Sequence, residues 1–153
     1  MVEDFRKSFA APPSVFGVAF LAGLMVGLLD PHPQMPLWLQ LLLGAIFTVA
    51  GARLIRSSMT SFNDAGTSYD PFAQSTILVT NGIYRYTRNP GYLGLAVIQI
   101  GLALAFDSPW IALAAVIAVL ITSLFVIKLE EEKFTRTFGQ EYIDYLGKVR
   151  RWI

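Results

Sequence analysis

The stretch Gly82–Phe106, GIYRYTRNPGYLGLAVIQIGLALAF, changes character midway. Tyr84, Arg85, Tyr86, Arg88 and Asn89 crowd its first part, yet from Asn89 to Phe106 there is no Asp, Glu, Lys or Arg. A run of that kind is close to the roughly 20 residues that cross a bilayer core as a helix. A buried helix of a soluble protein could reach such apolarity once. This chain reaches it repeatedly, at Ala11–Leu29, at Pro31–Ala52 (its hydrophobic part starting at Leu37), at Asn89–Phe106 and at Ser108–Ile127. The pattern predicts an all-α membrane protein with four transmembrane helices, over residues 11–29, 37–55, 90–106 and 109–128. A cytosolic loop over 56–89 and a cytosolic C-terminal segment over 129–153 complete a single domain, 1–153.

Composition agrees. The chain of 153 residues is 54% hydrophobic and only 15% charged, with a mean hydropathy of +0.53. With no cysteine, disulfides, thiolate metal sites and cysteine nucleophiles are excluded. His32 is the only histidine; it sits between prolines in DPHPQMP without carboxylate neighbours, and reads as a surface residue, so no metal site is predicted. The motifs H-E-x-x-H, the P-loop and G-x-G-x-x-G are absent, which leaves soluble dinucleotide chemistry unsupported.

Charge placement sets the expected topology. All 12 Lys and Arg fall at Arg6 and Lys7, at Arg53, Arg56, Arg85 and Arg88, or within Lys128–Arg151. The connections Asp30–Pro36 and Asp107–Pro109 hold none. Four crossings put those two connections on one face and every basic residue on the other, as the positive-inside rule requires. Both termini and the central loop are therefore expected in the cytosol. Glu3 and Asp4 dilute any signal-peptide n-region, and no small-x-small site precedes Asp30, so the first segment is read as a retained span.

Polar residues collect at the expected cytosolic boundary. Pro90 suits the first turn of the third helix, where its missing N–H costs nothing, and Asn89 stands where a cap would be. Ser108 and Pro109 suit the start of the fourth. In the tail, Phe134, Phe138, Tyr142, Tyr145 and Val149 draw one apolar stripe at helical spacing. That stripe predicts an amphipathic helix lying on the membrane or folding back over the bundle. Glu132 and Arg136, four apart, are expected to pair on its surface. Glu130 and Glu131 sit where the fourth helix leaves the bilayer, a depth at which acid is costly without a partner. Gly23 and Gly27 allow close helix approach, within or between chains.

These residues resemble a known family. GTSYDPFAQSTILVTNGIYRYTRNPGYLG followed by EEEKFTRTFGQEYIDYLGKVRRWI is similar to the isoprenylcysteine carboxyl methyltransferase and phospholipid methyltransferase superfamily, over about Gly66 to Ile153. The specific signal is the joint pattern L-V-x-x-G-x-Y-x-x-x-R-[HN]-P-x-Y-x-G, then E-E, F-G-x-x-Y and V-x-R.

The resemblance implies a S-adenosyl-L-methionine-dependent membrane methyltransferase, acting at the cytosolic face on a lipophilic acceptor (carboxylate, amine, thiol or phenol) that enters from the bilayer. No nucleic acid is expected as a partner. It implies a cofactor site formed by Leu78, Val79, Gly82, Tyr84, Arg88, Asn89, Pro90, Tyr92, Glu130 and Glu131, with Arg88 and Glu131 catalytic. Prenylcysteine enzymes of the family carry His where this chain has Asn89, and Asn takes up no proton near neutral pH. In that position, and at Gly91, the chain is more similar to bacterial members with other acceptors, a likeness that implies a bacterial inner membrane. The alternative is a non-enzymatic binding or transport subunit for a small hydrophobic ligand such as a quinone.

Overall fold

The computed structural model describes residues 12–31, 34–67 and 77–153, and the expectations at Glu3, Asp4, Arg6, Lys7 and His32 lie outside them. The described residues are helical with no strand: α1 Pro12–Leu29, α2 Leu37–Asp64, α3 Pro90–Ala105, α4 Pro109–Phe138 and α5 Gln140–Lys148. A short 3₁₀ turn, Gly82–Arg85, precedes α3. One π turn, Thr122–Val126, widens α4 where its apolar half gives way to its charged half.

Two of these helices, α2 and α4, are long and apolar enough to cross a membrane. The other two apolar helices are shorter, 18 residues for α1 and 16 for α3. The bundle is apolar on the outside and small or polar within. Leu41 is 57% exposed, Leu120 53% and Leu124 62%, whereas Ser58, Gln99 and Thr122 are buried. In water that distribution would leave a large apolar surface uncovered; in lipid, small residues at the seams and large ones outside are the rule.

Glycines make the seams. A Cβ on Gly51 would lie 2.5 Å from the carbonyl oxygen of Gly94, and one on Gly101 would lie 2.8 Å from the backbone nitrogen of Thr48. α2 and α3 thus run antiparallel with their backbones almost touching. Gly23 does the same for α1 on α4, where a Cβ would meet Ile111 Cα at 2.8 Å. The close approach expected of Gly23 and Gly27 is therefore made within the chain.

At one end of the bundle Asp107 accepts the backbone N–H groups of Gln34 and Met35, and Ser108 caps α4 by accepting from Ile111 N–H. The other end carries the site. Here α2 runs on to Asp64 rather than stopping near residue 55, and the predicted loop over 56–89 is shorter by that much. The reason is local. Thr60 and Ser61 return their hydroxyls to the carbonyls of Arg56 and Ser57, so polar side chains stay inside the helix until the Asn63–Gly66 turn, where Gly66 takes φ +70°.

The predicted single tail helix is two. Gly139 takes φ +55°, ψ −126°, a conformation L side chains avoid, and it ends α4 and starts α5. The break folds α5 back over the bundle, one of the two arrangements the apolar stripe allowed. Tyr142 and Tyr145 are buried there.

Candidate active site

The end of the bundle formed by α2, the 3₁₀ turn, α3, α4 and α5 encloses a narrow pocket. Its wall brings together Leu78, Val79, Tyr84, Arg88, Asn89, Glu130 and Glu131, all singled out in the sequence. Of the other candidates, Gly82, Pro90 and Tyr92 stand behind that wall. Gly82 takes φ +61°, and a Cβ there would come within 2.5 Å of Ser61 Oγ, so only glycine lets the turn seat Tyr84 against α2. Pro90 is buried at the first turn of α3. Tyr92 donates to Glu130 Oε1 at 2.6 Å.

The two carboxylates have different partners. Glu130 is held by Tyr92 alone among the described hydrogen bonds. Glu131 faces two cations: Arg88 Nη1 lies 2.9 Å from its Oε1, and Arg151 forks onto both its oxygens, with Nε donating to Oε1 at 3.0 Å and Nη2 to Oε2. Arg88 is 13% exposed, whereas Arg85, three residues earlier, is exposed. Its Nη1 is near Glu131 by distance, yet both Nε and Nη1 are buried without a hydrogen bond of acceptable angle. A buried guanidinium with unfilled donors is costly. The distance makes an ion pair with Glu131, and the guanidinium also lies within hydrogen-bond reach of the Tyr142 side chain.

Residues 149–152 strap across this arrangement. Arg88 N–H donates to Arg150 O at 3.0 Å, Asn89 Nδ2 donates to Arg151 O at 2.9 Å, and Trp152 Nε1 donates to Ser123 Oγ at 3.2 Å. Asn89 is thus the N-cap residue of α3 without a side-chain cap bond. Its amide Nδ2 serves the strap, while Thr87 Oγ1 accepts Asn89 N–H at 3.2 Å and turns the loop there.

Tyr145 donates to Tyr84 O at 2.7 Å, and Tyr84 shares a 2.7 Å hydroxyl contact with Ser58. Burial pushes the Tyr145 phenol far above its ordinary value, and burial, with the nearby Glu131 charge adding, raises Tyr142. Both therefore stay protonated, as donors rather than anions, throughout the physiological range.

Sequence reasoning missed Phe62, Ile77, Ile127, Phe134, Phe138, Tyr142 and Tyr145 as pocket walls, and Arg151 as the second cation on Glu131. The tail stripe was visible, but periodicity does not say what a stripe will cover. The surface pair expected between Glu132 and Arg136 does not form among the described residues, and both side chains are exposed.

A helical bundle with apolar flanks, small-residue seams and a polar pocket at one end is the build of a membrane protein. Residues 39–141 match the phospholipid methyltransferase family, and the chain belongs to it. It is 30% identical over 113 residues to protein-S-isoprenylcysteine O-methyltransferase of Mus musculus, covering 69% of this chain and 38% of that one. The Xenopus laevis protein of that name is 29% identical over 73% of this chain and 39% of its own length. Protein-S-isoprenylcysteine O-methyltransferase B of Arabidopsis thaliana is 32% identical over 47% of this chain and 36% of its own. The matches thus span less than half the length of these relatives. No solved structure matches.

Proposed function

We propose that this chain is a S-adenosyl-L-methionine-dependent methyltransferase of a bacterial inner membrane, with α1–α4 all crossing and the Arg88 pocket on the cytosolic side. One observation carries the reading: Arg88, buried with unfilled donors, lies beside two carboxylates in an aromatic-walled pocket. The orientation rests on charge. Among the described residues every Lys and Arg belongs to the site half, and the connection at Asp107–Pro109 has none.

The donor set fits the cofactor. Arg88 would take its carboxylate, for which a planar fork suits better than an ammonium. Glu130 or Glu131 would take its ammonium or ribose hydroxyls, and Phe134, Phe138 and Tyr142 offer faces for a cation or an aromatic base. Bound there, S-adenosyl-L-methionine would supply an electrophilic methyl group. The chain's own part is to hold, orient and exclude water; α5 and the strap over residues 149–152 close the pocket against solvent, and positioning with desolvation accounts for most of the rate. No covalent nucleophile is needed.

The acceptor is a lipophilic molecule reaching the site from the bilayer. The relatives' name supports oxygen as the methylated atom, while Asn89 offers a hydrogen bond but no proton uptake. The alternative of a non-enzymatic binding or transport subunit is not favoured, because the chain belongs to a methyltransferase family. Calorimetry of S-adenosylhomocysteine on detergent-purified protein, followed by radiolabelled methyl transfer to total lipid extract, tests the proposal. Saturable binding and a labelled lipophilic product are expected; no saturable binding at millimolar ligand overturns it.

A further inference from the structure

Glu131 has a second side. Beyond the Glu131–Arg151 fork lies an open groove of about 520 Å³, lined by Ser123, Leu124, Lys128, Thr135 and Arg136 of α4 and by Arg151. Its chemistry is graded along α4. Leu124, 62% exposed, belongs to the charge-free part of the helix; Lys128 follows one turn later and Arg136 two turns beyond that. Three cations line this groove. Glu131 and Glu132 line it too; Glu131 is paired with Arg151 and Glu132 offsets one more, which leaves one positive charge uncompensated. The groove therefore offers surplus positive charge at one end and bilayer-facing apolar surface at the other.

We propose that this groove is a second binding site, for the anionic headgroup of a bilayer amphiphile, and that it is coupled to the Arg88 pocket through Arg151. An oxyanion matches Lys128 and Arg136 as a charge and Arg151 as a fork, while Leu124 favours an attached chain over a free anion. Arg151 lines the groove and holds the wall it shares with the pocket. An anion in the groove competes with Glu131 for that guanidinium and loosens the wall. The pocket has room for only about 50 Å³ as it stands, far less than a nucleoside, so a wall that loosens favours cofactor binding. The coupling is reciprocal, as linkage demands. Only the coupling rests on the methyl-donor reading; the groove does not.

Two measurements on the full chain test this separately. The first is binding of dodecyl phosphate in neutral detergent by native mass spectrometry, with inorganic phosphate and dodecyltrimethylammonium as comparison probes. Saturable binding of dodecyl phosphate alone is expected, lost in the double variant Lys128→Gln with Arg136→Gln and kept in Arg53→Gln with Arg56→Gln. Equal binding of inorganic phosphate, or equal loss in both double variants, overturns the site. The second is S-adenosylhomocysteine affinity in nanodiscs of phosphatidylcholine, with or without phosphatidylglycerol. Affinity is expected to rise about fivefold or more with the anionic lipid, the low end of usual allosteric couplings, and not to rise in the Lys128 and Arg136 variant. Equal affinity in both discs overturns the coupling. S-adenosylhomocysteine binding in neither disc, with dodecyl phosphate still bound, overturns both the coupling and the methyl-donor reading and upholds the groove.

Discussion

Arg88 and Glu131 approach to 2.9 Å across the wall of the pocket, while Arg85, three residues before Arg88 in the chain, is exposed. The two arginines would be interchangeable as lipid anchors, and Lys would serve in either place. As a site residue Arg88 is not replaceable, because an ammonium cannot face Glu131 and fork onto a carboxylate ligand together. Arg88→Lys is expected to leave the protein folded and to lower methyl transfer about tenfold or more, equivalent to about 1.4 kcal/mol. Arg85→Lys should keep most activity. Like behaviour of the two variants in the transfer assay would make Arg88 an anchor.

The three consecutive glutamates separate by partner. Glu132 is exposed and outside the pocket wall, so Glu132→Gln should leave cofactor affinity unchanged. Glu130→Gln should weaken S-adenosylhomocysteine binding by about 1.5–3 kcal/mol, the range for a charged hydrogen bond. Glu131→Gln should do the same and also lower stability by about 2 kcal/mol, since it strands the largely buried Arg88, discounted for the part-exposed Arg151. Calorimetry and thermal unfolding in one detergent read both effects. Equal effects of all three substitutions would reduce the glutamates to an acidic surface patch.

The α2–α3 seam makes a packing prediction. With Gly51 and Gly94 carbonyl to Cα across the contact, a side chain on either meets backbone, which cannot step aside. Gly51→Val is expected to destabilise by about 1–3 kcal/mol, the usual cost of overpacking, and to tilt α3 enough to weaken cofactor binding, because α3 carries Tyr92 and begins beside Arg88. An unchanged melting temperature would mean the helices part at no cost. Gly17, with nothing within 4 Å, is the matched control.

How much of this was legible beforehand follows from what each signal measures. Charge-free runs measure burial in lipid or protein, and they located all four apolar helices. They do not register the end of a polar helix, so α2 past Arg56 was missed where serines and threonines bond inside the helix rather than break it. That Leu78, Val79, Tyr84, Arg88, Asn89, Glu130 and Glu131 belong together was legible only through the family pattern they fit, and they do line one pocket. Arg151 was not legible, because a cation in VRRWI gives no sign of which carboxylate it will reach from 20 residues away in sequence. The break at Gly139 was not legible from the stripe, because apolar residues continue at helical spacing on both sides of it and periodicity does not register a backbone at φ +55°.

The last prediction concerns the end remote from the site. Asp107 joins two connections by accepting Gln34 and Met35 N–H, and does so at φ +46°, a region Asp tolerates better than most residues. Two effects are therefore combined in one side chain, and substitutions can part them. Asp107→Gly keeps the backbone freedom and loses both acceptors; a loss of about 1–2 kcal/mol is expected for two bonds at a part-exposed turn. Asp107→Ala loses the acceptors and adds left-handed strain of about 1 kcal/mol more. Thermal unfolding in detergent should rank wild type above Asp107→Gly above Asp107→Ala, with S-adenosylhomocysteine affinity the same in all three. If Asp107→Gly melts with wild type, the two bonds contribute nothing to stability; if affinity falls with stability, this turn and the Arg88 pocket are not independent.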